Sequence, residues 1–327
     1  MDRTLTASEL IRRPTHPIYR RLGDRVFQVV VVLLGLSIIA LALLLAEVLL
    51  VEGWEPFRRF GFFGFLTGTT WDPVRGVFGT WPFIVGTLIT AVASLALSFL
   101  PAIGVAIFSA EYAPRWLASV IDTIVDLLAA VPSVVVGIWG IFVLVPLMQN
   151  HVYLPVYLWA LENAPGLLPV LGPPAGYNLI TATIVLSLMI VPYTTALARD
   201  AIRLVPRSQR EAARALGATR WEVMRMAVLP YARGAIVAGA ILSFGRAIGE
   251  TMAVAMLIGN SNTLPFTLFG PAATMPSVIV NEFREAVEDL HLASLMTVGF
   301  YLFLISLSVN LVAAWLQRKL AVGGRAL

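Results

Sequence analysis

The chain has 327 residues, of which 58% are hydrophobic and 13% are charged, and its net charge is +4. A water-soluble core cannot absorb this share of apolar side chains, so the composition excludes an ordinary soluble domain and predicts a polytopic membrane protein. The chain has no cysteine, which excludes disulfides, thiolate metal sites and cysteine nucleophiles.

Six apolar segments come close to the roughly 20 residues that a helix needs to cross a bilayer. The predicted spans are about 26–46, 82–108, 127–148, 179–197, 234–258 and 292–316. The first follows a basic segment, 1–25, and is too long for the apolar core of a signal peptide, so we expect it to be retained. The third is placed from Leu127, because Asp122 and Asp126 crowd the residues before it. The sequence therefore predicts an all-α, six-span membrane protein.

The basic residues predict the orientation. The segments on the side of the N-terminus hold eighteen Lys and Arg residues, and the segments on the opposite side hold four. This asymmetry places both termini, including the tail 321–327, in the cytoplasm. The outer loops are instead aromatic, and Trp54, Trp71 and Trp81 fit positions at the membrane interface.

The basic loop 198–233 carries its own helix signals. They are two capping boxes, Ser208 with Glu211 and Thr219 with Glu222, a helix stop at Gly217 and a helix entry at Pro230. These signals predict two short helices joined at Gly217. The first presents Ala212, Ala213 and Leu216, and the second presents Trp221, Met224 and Val228.

A helix pair with small residues and basic flanks suits a groove on another protein. An ordinary basic inner loop and a helix that lies on membrane lipid are the alternatives. A DNA-reading helix-turn-helix is disfavoured because membrane spans hold both ends of the loop, so no nucleic-acid partner is expected.

The segment 206–230 has a specific spacing. It reads Glu211-Ala212-Ala213, three residues, Gly217, nine residues, Ala227, one residue and Leu229-Pro230. This pattern resembles the EAA loop of ABC-importer permeases, E-A-A-x3-G-x9-I-x-L-P, with alanine in place of the usual isoleucine. The segments 65–87, 129–140 and 245–260 resemble the phosphate-specific permeases of this class, and the similarity extends over about residues 20–320.

The resemblance implies a type I ABC importer permease fold over 26–320, in the plasma (inner) membrane of a prokaryote. It implies four kinds of protein partner or ligand: a homologous second permease, two ATP-binding subunits, an extracytoplasmic phosphate-binding protein, and inorganic phosphate as substrate. The loop 206–230 would seat in an ATP-binding subunit. ATP and Mg²⁺ would bind there, because the only lysine here, Lys319, cannot complete a P-loop. We expect no catalytic residue, cofactor or metal site in this chain, whose three histidines are scattered.

Two charged residues fall within the fifth predicted span. Arg246 and Glu250 are four residues apart, so a continuous helix would place them on one face as an ion pair. Gly245 and Gly249 would form a small-residue ridge for close helix packing. We expect Arg246 to meet a phosphate oxyanion and Glu250 to hold it in place, in agreement with the resemblance. A purely structural ion pair is the alternative.

Charges at the ends of the spans have simpler interpretations. Asp122 and Asp126 are expected to be solvated or to pair with arginines of the basic loop, and Arg199 and Asp200 to be ordinary boundary charges. A permease for molybdate, sulfate or phosphonate is an alternative function. A secondary carrier driven by an ion gradient is disfavoured, because the spans contain few acidic or histidine relay positions.

Overall fold

The computed structural model describes residues 17–265 and 267–322. Within these residues the regular structure is helical, apart from two isolated β-bridges. The helices are α1 (Pro17–Glu52), α2 (Trp54–Phe60), α3 (Phe62–Thr67), α4 (Trp81–Tyr112), α5 (Arg115–Ala129), α6 (Ser133–Asn163), α7 (Leu168–Leu171), α8 (Leu179–Arg203), α9 (Arg207–Ala215), α10 (Arg220–Gly249), α11 (Met252–Leu257), α12 (Met275–Glu282) and α13 (Asp289–Val322). Residues 1–16 of the basic N-terminal segment and 323–327 of the tail lie outside the described residues.

Six of the described helices are long and apolar enough to cross a membrane. They are α1 from Gly23 onward, α4, α6, α8, α10 and α13 as far as Leu316. The predicted all-helical, six-span architecture is confirmed. The boundaries of the third and fifth spans differ from the prediction.

The third span starts later and runs further than predicted. α5 ends at Ala129, and α6 begins at Ser133 and continues to Asn163, whereas the prediction was 127–148. Pro132 explains the break, because its ring disfavours helical geometry at the residue before it and it has no N–H to donate. α5 is therefore a separate helix between the second and third spans.

The fifth span is shifted in the opposite direction. α10 begins at Arg220 and ends at Gly249, whereas the prediction was 234–258. The predicted second loop helix is thus the first part of the fifth span and not a separate helix. The apolar residues after Glu250 belong to the short helix α11.

Four π turns precede prolines in or at the end of the long helices. They are Phe108–Tyr112, Gly140–Leu144, Gln149–Tyr153 and Met224–Val228, followed by Pro114, Pro146, Pro155 and Pro230 respectively. Each turn ends two residues before its proline. Proline lacks an N–H and its ring clashes with the carbonyl four residues earlier, so the wider turn lets a helix continue past it. At Pro114 the helix ends instead.

The first helix and the rest of the chain form separate units, divided between Val51 and Glu52. The apolar side chains of α1 are exposed, with Phe27 at 71% and Ile38 at 70%. An apolar helix of this length with an exposed surface suits a lipid environment. The predicted first span, 26–46, lies within it.

Helix α8 lies at the centre of the second unit, where it packs against α4, α5 and α10. Buried hydroxyl groups join these helices. Ser94 donates to the carbonyl of Thr183 at 3.0 Å, and Thr194 donates to the hydroxyl oxygen of Ser243 at 2.8 Å. Hydrocarbon offers no water to such groups, so bonds between neighbouring helices satisfy them and hold the helices together.

Aromatic side chains of the 53–80 segment pack against α13 at the end of the bundle where α4 begins. Trp71 is 6% exposed and packs inside this cluster, and its predicted position at the membrane interface stays a prediction. Its indole donates to Glu282 at 2.7 Å. The same carboxylate accepts from Asn262 at 2.9 Å and lies 2.9 Å from the ring nitrogen of His291. Buried contacts therefore fix this end of the bundle.

Candidate functional site: an arginine-lined cavity and a basic loop

A cavity of about 140 Å³ lies where the break between α5 and α6 meets α8 and α10. Its lining consists of Leu128, Ala129, Val131, Val136, Leu188, Met189, Tyr193 and Arg246. Arg246 is the one charged residue of this lining. Arg246 is itself exposed, and the other side chains of the lining are largely apolar.

Arg246 rests on an aromatic ring. The centre of its guanidinium lies 4.0 Å from the centroid of the Tyr193 ring, which is a cation–π contact. Among residues 17–265 and 267–322, Arg246 forms no salt bridge. Its donors are therefore not neutralised by a carboxylate of the described chain.

The predicted ion pair between Arg246 and Glu250 is not formed. α10 ends at Gly249, and Glu250 has extended backbone angles, φ −68° and ψ 125°. The two residues therefore do not share a helix face, which the prediction assumed. A Glu250 carboxylate oxygen lies 3.5 Å from the amide nitrogen of Ala253, at the N-terminus of α11, where the helix dipole favours a negative charge.

The predicted glycine ridge is also not a packing surface of the described chain. A Cβ atom at Gly249 would meet nothing within 4 Å, and one at Gly245 would come no closer than 3.6 Å to Asn310. Close packing occurs earlier in α10, where a Cβ at Gly239 would lie 2.8 Å from Leu197. The position of Gly249 is therefore open, whereas Gly245 lies at ordinary van der Waals distance from Asn310.

The predicted helix stop at Gly217 is confirmed. Gly217 has φ +82°, and it follows α9. The amide of Ala218 donates to the carbonyl of Ala213 at 3.2 Å, and the amide of Gly217 donates to that of Arg214 at 2.9 Å. This bond pattern is a Schellman motif, which needs a residue that tolerates positive φ.

One of the two predicted capping boxes is present. Thr219 and Glu222 cap the start of α10 through bonds in both directions, with the Glu222 carboxylate 2.7 Å from the Thr219 amide. The prediction of a capping box of Ser208 with Glu211 is wrong, because α9 begins at Arg207 and Ser208 lies inside the helix. The extended backbone of Pro206 sets this earlier start.

The basic loop exposes apolar side chains. Leu216 is 91% exposed, Met226 69% and Trp221 57%, whereas Met224 and Val228 are buried in the bundle. The predicted face of Trp221, Met224 and Val228 is therefore divided between solvent and core. Of the other predicted loop residues, Glu211, Ala212 and Pro230 are exposed, and Ala213 and Leu229 are half-buried.

An ion pair joins α9 to the end of α4. Arg210 donates to one carboxylate oxygen of Glu111 through two nitrogens, at 2.9 Å and 2.6 Å. The same guanidinium donates to the carbonyls of Ile202, at 2.8 Å, and Val205, at the end of α8. Arg210 and Glu111 are 13% and 17% exposed. A displacement of α9 must therefore act on α4 and α8.

A second cluster joins α5 to α8. Asp122 accepts from Ser109 at 2.6 Å and from Arg203 at 2.8 Å, and Arg199 lies 3.2 Å from it and 3.7 Å from Asp126. Burial opposes ionisation of Asp122, but the bonds from Ser109 and Arg203 and the charge of Arg199 outweigh it, so the pKa of Asp122 is lowered. The predicted pairing of both aspartates with loop arginines is confirmed. Arg199, 8% exposed, is not an ordinary boundary charge.

Sequence reasoning missed Tyr193, Arg210 and Glu111. Tyr193 looks like one more apolar residue of a span, and no local pattern places it beneath Arg246. Arg210 and Glu111 are far apart in the chain. A search for acidic residues at the ends of spans, where few are present, would have singled out Glu111 as a partner for a loop arginine.

Comparison with known proteins places this arrangement in a family context. Residues 102–322 match the family model described as the binding-protein-dependent transport system inner membrane component. The chain is 41% identical over 298 residues to "Phosphate transport system permease protein PstC" of Haemophilus influenzae, covering 91% of this chain and 94% of that protein. It is 44% identical over 272 residues to the Pasteurella multocida protein of the same name, covering 81% and 83%.

Solved structures show the same helix arrangement. A chain of a bacterial ABC transporter that imports the acidic polysaccharide alginate has a TM-score of 0.58 at 17% identity, covering 91% of this chain and 99% of that one. A chain of the MetNI methionine ABC transporter has a TM-score of 0.52 at 18% identity, covering 76% and 95%. At such identities the similarity concerns the fold, which is that of ABC importer permeases.

Proposed function

The chain belongs to the family of binding-protein-dependent transport system inner membrane components, and from this premise we propose that it is the permease subunit of an ATP-driven importer of inorganic phosphate. The observation that carries the substrate is the similarity to proteins named phosphate transport permeases, which extends over 91% of the chain for the Haemophilus protein. A homologous second permease supplies the other half of the pathway.

Arg246 is the residue that meets phosphate in this proposal. Its guanidinium lines an otherwise largely apolar cavity and has no carboxylate partner among the described residues. A guanidinium presents N–H donors in a planar fork that matches the oxygens of phosphate, so it suits this ion better than a point charge would. The open position at Gly249 allows the second permease or the ion to approach.

The basic loop transmits the movement of the ATPase. Exposed Ala212, Leu216 and Trp221 fit a cleft on an ATP-binding subunit, and two such subunits serve the two permeases. ATP and Mg²⁺ bind to those subunits, because this chain has a single lysine, Lys319, outside any P-loop pattern.

The orientation follows from charge. The side with eighteen Lys and Arg residues faces the cytoplasm, together with both termini, and the side with four faces outward. The packed end that contains Trp71 and Glu282 then receives the phosphate-binding protein. When ATP draws the two loops together the spans open outward, and hydrolysis returns them to the inward-facing state.

Phosphate uptake by a reconstituted complex tests the proposal. The purified permease pair, ATP-binding subunits and binding protein are placed in vesicles, and phosphate uptake and ATP hydrolysis are measured together. We expect Arg246→Gln to retain assembly and ATP hydrolysis but to lose roughly thirtyfold or more of its phosphate uptake, because it removes a charged hydrogen-bond donor from the ion. Arg246→Lys should retain part of it, because it keeps the charge without the fork.

Arg115→Gln is the matched control, since Arg115 is an exposed arginine at the start of α5, away from the cavity. It should transport at the unmutated rate. Normal uptake by Arg246→Gln would remove Arg246 from the pathway. Uptake of sulfate or molybdate in preference to phosphate would replace the substrate with another oxyanion, and uptake that persists without ATP would contradict the importer class.

A further inference from the structure

Tyr193 lies between Arg246 and the break that precedes the third span. Its ring faces the guanidinium at 4.0 Å, and its hydroxyl donates to the carbonyl of Ala129 at 2.8 Å. Ala129 is the last residue of α5. One side chain of α8 thus contacts both the charged group of the cavity and the helix end that lines it.

The bond to Ala129 has a local cause. The last carbonyls of a helix have no amide partner in that helix, so another donor has to satisfy them. Pro132, which follows in the break, has no N–H to offer. The Tyr193 hydroxyl supplies the missing hydrogen-bond donor, and this bond fixes the position of the ring.

The ring holds Arg246 in a way that a carboxylate would not. A carboxylate would occupy the donors of the guanidinium and cancel its charge, whereas an aromatic face attracts the cation and leaves the N–H groups at its edge free. Glu250, which the sequence suggested as the holding group, lies beyond the end of α10. Tyr193 is in contact with Arg246 instead.

We propose that Tyr193 is the positioning residue for Arg246, with the ring orienting the guanidinium toward the transported anion and the hydroxyl anchoring the ring to the break at Ala129. This inference rests on the proposed function, since it assumes that Arg246 meets the anion. It assigns Tyr193 no direct contact with phosphate. Positioning of Arg246 by Tyr193 raises the number of phosphate ions imported per ATP hydrolysed.

The measurement is the number of phosphate ions imported per ATP hydrolysed, at saturating binding protein, in the reconstituted complex. Tyr193→Phe keeps the ring and loses the bond to Ala129, so we expect a fall of about fivefold, the usual effect of one hydrogen bond. Tyr193→Leu also loses the cation–π contact, so we expect a fall of roughly thirtyfold. ATP hydrolysis should persist in both, whereas a merely structural defect would lower uptake and hydrolysis together.

A double mutant isolates the contact. In the Arg246→Gln background, Tyr193→Leu should not lower the residual phosphate-to-ATP ratio any further, because the group that Tyr193 positions is already absent. Tyr301→Phe is the matched control, since the Tyr301 hydroxyl also donates to a backbone carbonyl, that of Phe62 at 2.7 Å, at the far end of the bundle. It should leave the ratio unchanged.

The outcomes separate the two proposals. If the unmutated complex imports phosphate and Tyr193→Phe and Tyr193→Leu keep its ratio, the positioning role is wrong while the proposed function stands. Equal losses in the presence and absence of Arg246 would likewise overturn it. If the unmutated complex imports no phosphate, both the function and this inference fail. Should Tyr193→Leu not assemble, the Tyr193→Phe result decides.

Discussion

Breaking the ion pair between Arg210 and Glu111 should uncouple ATP hydrolysis from transport. The pair connects α9, the helix proposed to seat in the ATP-binding subunit, to the end of α4. Through the carbonyls of Ile202 and Val205, it also connects α9 to the end of α8. The perturbations are Glu111→Gln, which keeps the shape of the side chain, and Arg210→Lys, which keeps its charge.

The size of the effect follows from burial and bond count. Removing one member of a fully buried ion pair destabilises a protein by about 3–5 kcal/mol, while an exposed pair contributes about 0–1 kcal/mol. Arg210 and Glu111 are 13% and 17% exposed, and Arg210 also serves two carbonyls. We therefore expect Arg210→Gln to destabilise the protein by about 3 kcal/mol. For Glu111→Gln and Arg210→Lys we expect about 1–2 kcal/mol, because Arg210 keeps its two carbonyl partners in the first variant and Glu111 keeps a positive charge beside it in the second.

The assay compares three readings in one preparation: retention of the ATP-binding subunits in detergent, ATP hydrolysis, and phosphate imported per ATP. The milder variants should keep the first two and lower the third severalfold. Arg210→Gln combined with Glu111→Gln should be more stable than Arg210→Gln alone, because no unpaired buried charge remains. Arg115→Gln is the control for the loss of an exposed arginine close in sequence to Glu111. An unchanged phosphate-to-ATP ratio in both mild variants would refute the transmission role.

Three further changes test the local geometry. Gly217→Ala should destabilise the loop by about 1 kcal/mol because of its positive φ, and should weaken retention of the ATP-binding subunit; unchanged retention would contradict this. Gly86→Ala should lower the melting temperature, with a loss of about 1–3 kcal/mol, since its Cβ would overlap the carbonyl of Ala273, whereas Gly104→Ala on the same helix meets no atom within 4 Å and should not. Asp122 has a lowered pKa, so its stabilising effect is complete above its ordinary value near 4 and is lost as the pH falls through the lower folded value. Asp122→Asn should therefore flatten the fall in melting temperature between about pH 5 and 3, and an equal fall in both proteins would count against the cluster.

Features that depend on neighbouring residues could be predicted from the sequence. Gly217 and the box of Thr219 with Glu222 were found because a helix stop and a capping box are local patterns. Hydropathy likewise gave the number of spans, because each crossing needs a long apolar segment. It could not place the break at Glu250, since the residues on either side are equally apolar.

Features that depend on more distant parts of the chain were predicted only in part. The pairing of Arg246 with Glu250 was inferred from spacing alone, and it fails because the helix does not continue through both residues. Arg199 was taken for a boundary charge because its partner, Asp122, lies on another helix. The break before the third span was in principle readable from the sequence, since Pro132 is a helix-breaking signal.

The packing of the 53–80 segment against α13 sets an order for biogenesis. Trp71 donates a hydrogen bond to Glu282, and Tyr301 donates one to the carbonyl of Phe62. Residues made early in translation therefore find their hydrogen-bond partners only in residues made more than two hundred positions later. Until α13 has entered the bilayer, these aromatic side chains lack their cover. A nascent chain halted before α13 would expose these aromatic side chains to chaperones and proteases as a mark of an unfinished protein.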